Sequence, residues 1–471
     1  MSTDAIKNTL PIIRDEAARL AIAQDYGGYV QHVPAGILRA TTVEEVVAGL
    51  HYAKQHGLKV AARGAGHSTH GQAQVADGLV IDLRGLNQVL DMTPDALWVE
   101  AGVQWRTVAQ TALALNRTFP IFTDYLATTV GGTLTVGGVG SRTWQMGTQT
   151  DHVLELEVVT ANGEVVRCSP HTNAALFNAV RCGLGQFGII TKARLRLIPA
   201  PQQAHYHRAL YTDFAVFLDE MNLLIDEGDY ECIQGFALGN DAQSIGGHIG
   251  PAAANFSLPT DAGPWLYCIE TVKFLDQPVD PATTAPKRQQ WLPGGYFVFD
   301  LPYLAYIDRL GPVEEMLKQL GLWQLPHPML DVLVPSTQAH VFLRESLAAL
   351  NPAEVAGPVL IYPYQRQALQ TPFFRAPNAP RVVLFGLMRT TLPPTPAHVQ
   401  AQIAENRRIY EKAVACGGCY YPVDSVPMTP QDWQQHFGEH WCTFAAAKQA
   451  FDPNHLLNPQ QGVFDLRSVS E

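Results

Sequence analysis

Residues Thr191–Leu197 alternate strictly: Ala193, Leu195 and Leu197 are interleaved with Lys192, Arg194 and Arg196. A period of two predicts a strand with one face on a core. Residues 42–57 follow a different rhythm. They open on Thr42-Val-Glu-Glu45, carry Val46, Val47, Leu50 and Ala53, and stop at Gly57. A capping box followed by helical spacing and a terminal glycine predicts an amphipathic helix. Strands are expected at Lys59–Arg63, Leu79–Leu83 and Leu97–Val99, and helical structure at Ala174–Val180. From Asp213 a longer helix places Phe214, Phe217, Leu218, Met221, Leu224 and Ile225 on one stripe. Another helix is expected over Trp433–Ala450.

The chain changes character at Pro199-Ala-Pro201, directly after the alternating strand, and again over the proline- and glycine-rich stretch 416–430. These breaks divide it into residues 1–200, 201–424 and a tail, 425–471, expected to return to the first domain. A chain of 471 residues has room for two or three domains with their own cores. Its 47% hydrophobic and 16% charged residues are a globular composition. Lys plus Arg number 32 against 43 for Asp plus Glu, a net charge of −11, and there is no basic block. That balance argues against nucleic acid or an anionic membrane as partner. No apolar run has the length of a membrane helix. Met1–Glu16, with Asp4, Lys7, Arg14 and Asp15, lacks the apolar core of a secretory signal. Seven cysteines are too few for a disulfide scaffold. Cys416-Gly-Gly-Cys419 has no second CxxC to complete a zinc site, so no metal is expected, and it reads as a reduced pair beyond a helix C-terminus. The expected compartment is the cytoplasm.

Chemistry enters through glycine. Three segments of the first domain are glycine-rich: 63–72, 130–140 and 183–188. Gly183-Leu-Gly185-Gln-Phe-Gly188 has the form GxGxxG, but a helical stretch precedes it and a strand follows. That is the reverse of a dinucleotide fingerprint, in which a strand leads into a helix N-terminus. Each segment alone is a turn. Together they predict a large phosphate-bearing cofactor held by backbone amides from several loops.

Arg63-Gly-Ala-Gly-His-Ser-Thr-His-Gly-Gln72 resembles the flavin loop of the vanillyl-alcohol-oxidase (PCMH-type) flavoproteins, and within them it is most similar to cytokinin dehydrogenases. Four further segments agree in order: Thr123–Leu134, Gly183–Thr191, Gly321-Leu-Trp-Gln-Leu-Pro-His-Pro328 and Phe451-Asp-Pro-Asn-His-Leu-Leu-Asn-Pro459. The resemblance runs from Tyr26 to Phe464. It implies an α+β, two-domain PCMH-type FAD-binding fold, with a substrate (cap) domain of antiparallel sheet and helices over the flavin.

The resemblance also implies roles. His67 would carry FAD covalently, and without a cysteine between Phe119 and Gly140 a second tether is not expected. Ala62, Arg63, Gly64, Ala65, Gly66, Ser68 and Gln72 would hold the pyrophosphate and ribityl region. Thr129, Thr135, Val139, Ile190 and Gln461 match other flavin contacts. Asp124 matches the aspartate that hydrogen-bonds the substrate amine, where a carboxylate within reach is a suitable proton acceptor. Glu270 matches a glutamate partnering that aspartate; two close carboxylates would push their proton affinities apart. The bland readings are a turn-capping Asp124, a surface-strand Glu270 and, for His70, a solvent-facing loop histidine.

The chain departs from the family at Met329, near Leu369 and across Tyr421-Pro-Val-Asp-Ser425, all on the pocket walls. The implied activity is oxidation of the N6 side chain of an isoprenoid adenine, a small-molecule substrate, with a quinone or O2 as electron acceptor. The alternatives are the same flavin chemistry on another amine, an alcohol or a sugar, and a flavin-binding protein without turnover.

Overall fold

The computed structural model describes residues 10–277 and 290–464. The reading of the first nine residues as lacking a secretory signal lies outside these. The first 200 residues form two main sheets. β1 (Gly36–Arg39), β2 (Val60–Arg63) and β3 (Leu79–Asp82) make a parallel three-stranded sheet in the order β1-β3-β2. β4 (Val89–Thr93), β5 (Ala96–Glu100), β7 (Val153–Val159), β8 (Val165–Cys168) and β9 (Ile189–Arg196) make an antiparallel five-stranded sheet. A short pair, β6 (Arg117–Thr118) with β10 (Ile198–Pro199), closes the domain at the proline break. The helix Val43–Gln55 covers the parallel sheet, and the Thr42 side chain caps it by accepting from Glu45 N. Glu45 reaches back one residue further than a capping box requires, to Thr41 N at 2.7 Å.

Residues 203–420 build one eight-stranded antiparallel sheet: β11 (Gln203–Tyr211), β12 (Cys232–Gly239), β13 (Trp265–Leu275), β14 (Tyr296–Pro302), β15 (Leu330–Pro335), β16 (Val359–Gln365), β17 (Arg381–Leu387) and β18 (Cys419–Tyr420). Their order is β14-β11-β13-β12-β16-β17-β15-β18. Side chains alternate across a strand, so the register assigns the faces. Arg208 and Gln234 both pair with Glu270, and Gly235 pairs with Ile361, which puts Gln234 beside Tyr362. Tyr362 pairs with Leu384, and Gly386, two residues on, pairs with Asp331. Arg208, Glu270, Gln234, Tyr362, Tyr364 and Asp331 therefore share one polar face. The other face is apolar and carries the helices: Phe217 and Met221 of Phe214–Glu227 lie against Gly235, and Phe342 of Ser336–Ala349 lies against Phe385.

The tail stitches back onto the first domain. Leu457 bridges Val60, and the Asn458 side chain donates to Leu184 O and Gly185 O. The one long helix expected over 433–450 is two, Pro430–Phe437 and Trp441–Phe451, because the chain turns at Gly438 with φ +50°. The glycine run 130–140 also differs from a plain loop, since Val130–Leu134 forms a short helix before Gly137 and Gly138 turn with positive φ. Cys416 caps the helix Pro396–Ala415, and its thiol and that of Cys419 donate to backbone carbonyls.

Candidate active site

β2 ends at Ala62 and Arg63, and the chain then enters the loop Gly64–Gln72. Among the described residues the amides of Gly64, Ala65, Gly66, His67 and Ser68 donate no hydrogen bond within the protein. Five successive free amides form an anion-binding concavity. Arg63 Nη2 donates to Gln24 O at 2.5 Å, which aims the guanidinium, while its buried Nη1 has no partner. Thr129 Oγ1 is likewise buried and unpartnered, and a Cβ at Gly64 would sit 2.1 Å from it. The two loops thus meet only because residue 64 has no side chain.

The remaining sequence-derived positions lie around these loops. Thr135 donates to Gly132 O, Val139 is half-buried in the turn after Gly138, and Ile190 is buried on β9 opposite Val158. Gln461 Nε2 donates to Gln72 O at 3.1 Å, and Gln72 Nε2 donates to Asp424 O at 2.9 Å. Ser68 donates to Asp25, a carboxyl that burial pushes up to about 6 despite amide donation from Gly71. The buried amide of Gln149, beside Gly138, has both its atoms unpartnered. Undonated loop amides together with the unpartnered Arg63 Nη1, Thr129 Oγ1 and Gln149 amide are the donors and acceptors a flavin dinucleotide needs. The residues present fit FAD.

His67 lies between two aromatic rings, Tyr26 at 4.3 Å and Tyr125 at 4.4 Å between centroids. Tyr26 in turn stacks on His327 at 4.3 Å and leans on Trp323 at 4.7 Å. The Gly321–Pro328 segment therefore supports the His67 stack from the second domain. Burial and the neighbouring His327 bring His67 down to about 4, so its imidazole is neutral with a lone pair available.

Asp124 projects from the loop after β6, where Thr123 and Thr128 both donate to Tyr125 O. A Cβ at Gly140 would fall 2.0 Å from Phe122 O, so that glycine lets the Asp124 loop lie flat. Asp124 Oδ1 accepts from Arg309 Nη2 at 2.8 Å. Its Oδ2 has only longer contacts, Gln234 Nε2 at 3.3 Å and Tyr362 Oη at 3.4 Å. Oδ1 is thus clamped, and Oδ2 retains capacity for another donor. Arg309 also donates to Gln234 Oε1 and stacks 4.6 Å over Tyr306.

Glu270 is 1% exposed, so it is no surface glutamate. It also does not pair with Asp124. Arg208 donates to Glu270 Oε2 at 2.8 Å, and Tyr306 donates to Oε1 at 3.3 Å. Burial opposes its charge, but Arg208 and Arg309 outweigh burial and hold the carboxyl below its usual range. The expected carboxylate pair is replaced by an alternating line of charges, Asp124, Arg309, Glu270 and Arg208, in which each acid faces a guanidinium. Sequence reasoning missed Arg309, Gln234, Tyr362, Arg208, Tyr26 and Gln149. Arg208 has a signal once register is known, as the cross-strand partner of Glu270; the others come from separate strands, turns and helices with no common spacing.

Residues 201–464 match the family model described as cytokinin dehydrogenase 1, FAD and cytokinin binding, and residues 34–169 match the FAD binding domain model. The chain is 33% identical over 447 residues to an uncharacterized oxidoreductase, ORF5 of the fasciation locus of Rhodococcoides fascians, covering 94% of this chain and 97% of that one. It is 32% identical to cytokinin dehydrogenase 9 of Oryza sativa subsp. japonica, over 96% of this chain and 90% of that protein. To cytokinin dehydrogenase 8 of Oryza sativa subsp. indica it is 35% identical, over 94% and 90%. Among solved structures, 6-hydroxy-D-nicotine oxidase of Arthrobacter nicotinovorans shares the fold, with a TM-score of 0.68 at 19% identity, covering 96% of this chain and 98% of that one.

Proposed function

The chain belongs to the cytokinin dehydrogenase family of FAD-dependent oxidoreductases, and from that premise we propose that it oxidises a secondary amine at the carbon beside nitrogen. The favoured substrate is an N6-isoprenoid adenine. The C–N bond becomes an imine, and water hydrolyses it to adenine and an aldehyde. FAD, held by the loops described above, would supply a two-electron acceptor for the hydride, with a quinone or O2 as the final oxidant. The observation that carries this reading is the unevenly held carboxylate of Asp124, fixed through Oδ1 by Arg309 at 2.8 Å and held at Oδ2 only by the longer contacts of Gln234 and Tyr362.

The protein's own part is to hold and deprotonate. Asp124 Oδ2 accepts the substrate N–H and takes its proton as the C–H bond breaks, a general-base role. Arg309 keeps the carboxylate from rotating, and Gln234 fixes Arg309. Glu270 acts through Arg208 and Tyr306 as a positioning residue for that line of charges. The amides of Gly64–Ser68, which donate to nothing within the protein, would hold the pyrophosphate. The compartment we favour is the cytoplasm, which suits the seven unpaired cysteines. An anaerobic screen of N6-substituted adenines, read by flavin bleaching, tests the assignment; no bleaching by any of them rejects it.

We assign His67 as the covalent attachment point, because a neutral imidazole within the flavin loop is the nucleophile such a bond requires. His67→Ala is expected to yield a folded, yellow protein that releases all its flavin on acid precipitation, since the loop amides still bind FAD. Retention of flavin by the denatured variant would place the tether elsewhere. With His67 brought down to about 4, flavinylation of apoprotein by added FAD should proceed at the same rate from pH 8 to pH 5. A rate that falls through pH 6.5 would mean that the attacking imidazole is an exposed one.

A further inference from the structure

The turn Gly417–Cys419, which no step above uses, forms one wall of a cavity of about 340 Å³ between the second domain and the tail. That volume lies within the range of small-molecule sites, roughly 300–1,000 Å³. The second domain supplies Arg366, Arg375, Cys419 and, from the helix Pro396–Ala415, Tyr410. The tail supplies His436 from the helix Pro430–Phe437. No residue of the flavin loops and no partner of Asp124 lines this cavity. Three buried atoms of its lining residues have no hydrogen-bond partner among the described residues: Arg366 Nε, Tyr410 Oη and His436 Nδ1. Tyr410 is 2% exposed and His436 6%.

The cavity sets two cations against one solvated acid. Arg366 Nη1 donates to Leu369 O at 2.8 Å and Arg375 Nε to His436 O at 3.3 Å, both backbone carbonyls. Neither guanidinium forms an ion pair among the described residues, and the two oppose each other's charge. Glu439, the acid at the rim, has a side chain 84% exposed and 3.5 Å from His440, where water screens its pull on Arg375. Burial pushes the Cys419 thiol up to about 12, so it stays protonated. Burial and Arg375 bring His436 down to about 3, so its ring is neutral. Two uncompensated guanidinium groups beside unpartnered donors favour an anion from outside the chain.

We propose that this cavity binds an organic phosphate monoester, a ligand distinct from the substrate and from FAD. A dianion matches the two guanidinium groups in charge, and a tetrahedral head offers oxygens in three directions. The donors stand on three separate elements: Arg366 and Arg375 on the segment after β16, Tyr410 on the helix Pro396–Ala415 and His436 on the tail helix. A single carboxylate carries half that charge, in one plane. The volume holds about eleven waters at ~30 Å³ each, whereas a phosphate group has only five heavy atoms. The carbon body of the ester fills the rest, against the apolar wall of Ala376, Pro377 and Val414. Bound there, the ligand fastens the tail to the second domain and stabilises the folded protein by mass action. The inference is independent of the amine-oxidation reading.

The test uses the flavin-loaded holoenzyme, whose own phosphate loop is filled, and four probes: ribose 5-phosphate, ribose, malate and inorganic phosphate. Calorimetry is expected to show one ribose 5-phosphate per chain, bound about tenfold or more tightly than malate or inorganic phosphate, and no binding of ribose. The thermal midpoint should rise along the same titration. Arg366→Gln and Arg375→Gln should each weaken ribose 5-phosphate by about tenfold or more, the cost of a charged hydrogen bond, with the flavin spectrum unchanged. Each variant also removes the repulsion between the two guanidinium groups, so its ligand-free thermal midpoint should equal or exceed the parent's. Should Arg375→Gln fail to fold, Arg366→Gln, which loses only a bond to the nearby Leu369 O, decides the matter alone. No binding of ribose 5-phosphate overturns the proposal. Unchanged affinity in the folded variants places the ligand elsewhere and overturns it too. Malate bound as tightly as ribose 5-phosphate overturns the phosphate reading. Inorganic phosphate bound as tightly reduces the site to an adventitious ion only and overturns the ester.

Discussion

Asp124→Asn is expected to slow anaerobic flavin reduction by about 10²–10⁴, the usual cost of removing a general base, with the flavin spectrum intact. The surroundings explain why asparagine is a poor substitute and not merely a neutral one. Arg309 at 2.8 Å demands an acceptor, so the amide oxygen turns to it. The amide nitrogen then occupies the Oδ2 position, where it faces the donor Nε2 of Gln234. Gln234 cannot flip in compensation, because its Oε1 already accepts from Arg309 at 3.1 Å. The variant presents a donor to the substrate N–H where the parent presents an acceptor. A raised KM with an unchanged reduction rate would make Asp124 a binding residue only. An unchanged rate with every amine would remove amine oxidation and bring the alcohol or sugar reading forward.

Glu270→Gln divides differently. It leaves Asp124 and Arg309 in contact but strips the buried Arg208 of its counter-charge. Its cost should therefore appear first in stability, with a smaller loss of rate than at Asp124. That difference follows from the sheet register, which sets Arg208 opposite Glu270, and register is what the sequence conceals. Local rules were legible: the capped helix at Val43–Gln55, the alternating β9 and the Phe214–Glu227 stripe all follow from spacing. The family-specific Gly321–Pro328 segment was legible as a motif, but its physical use was not. Trp323 and His327 act across the domains on Tyr26, some 300 residues away in the chain. The partners of Asp124 were hidden for the same reason, because residues 234, 309 and 362 meet only once three separate elements have folded. The helix break at Gly438 escaped because apolar spacing continues through it, while the backbone turns on one glycine.

The second large effect is expected in the tail. Lys448, on the helix Trp441–Phe451, is 1% exposed in a stretch whose pattern reads as ordinary amphipathic helix. Its ammonium donates to Asp452 Oδ2 at 2.8 Å, Gln186 Oε1 at 2.9 Å, Gln186 O at 3.0 Å and Leu457 O at 3.2 Å. Asp452 accepts in addition from the amides of Leu456 and Leu457, at 2.9 Å each. This one side chain thus ties the Phe451–Pro459 motif to the Gly183–Gly188 loop, and through Gln186 it reaches Gln461. Burial opposes the charge on Lys448, and Asp452 counters it. Removing one partner of a buried pair costs about 3–5 kcal/mol, because the other charge stays behind without compensation. Lys448→Met keeps the length and apolar bulk of the stem. It should lower the urea midpoint by an amount equivalent to that range and reduce the flavin content of purified protein, as the Gln186–Gln461 wall loosens. Adding Asp452→Asn should recover part of the loss, since the stranded charge is then gone, although only one of the two amides keeps its acceptor. A midpoint within experimental error of the parent would mean that the tail is held by apolar contacts alone, with Phe444 against Phe187 and Phe437 sufficient to keep it in place.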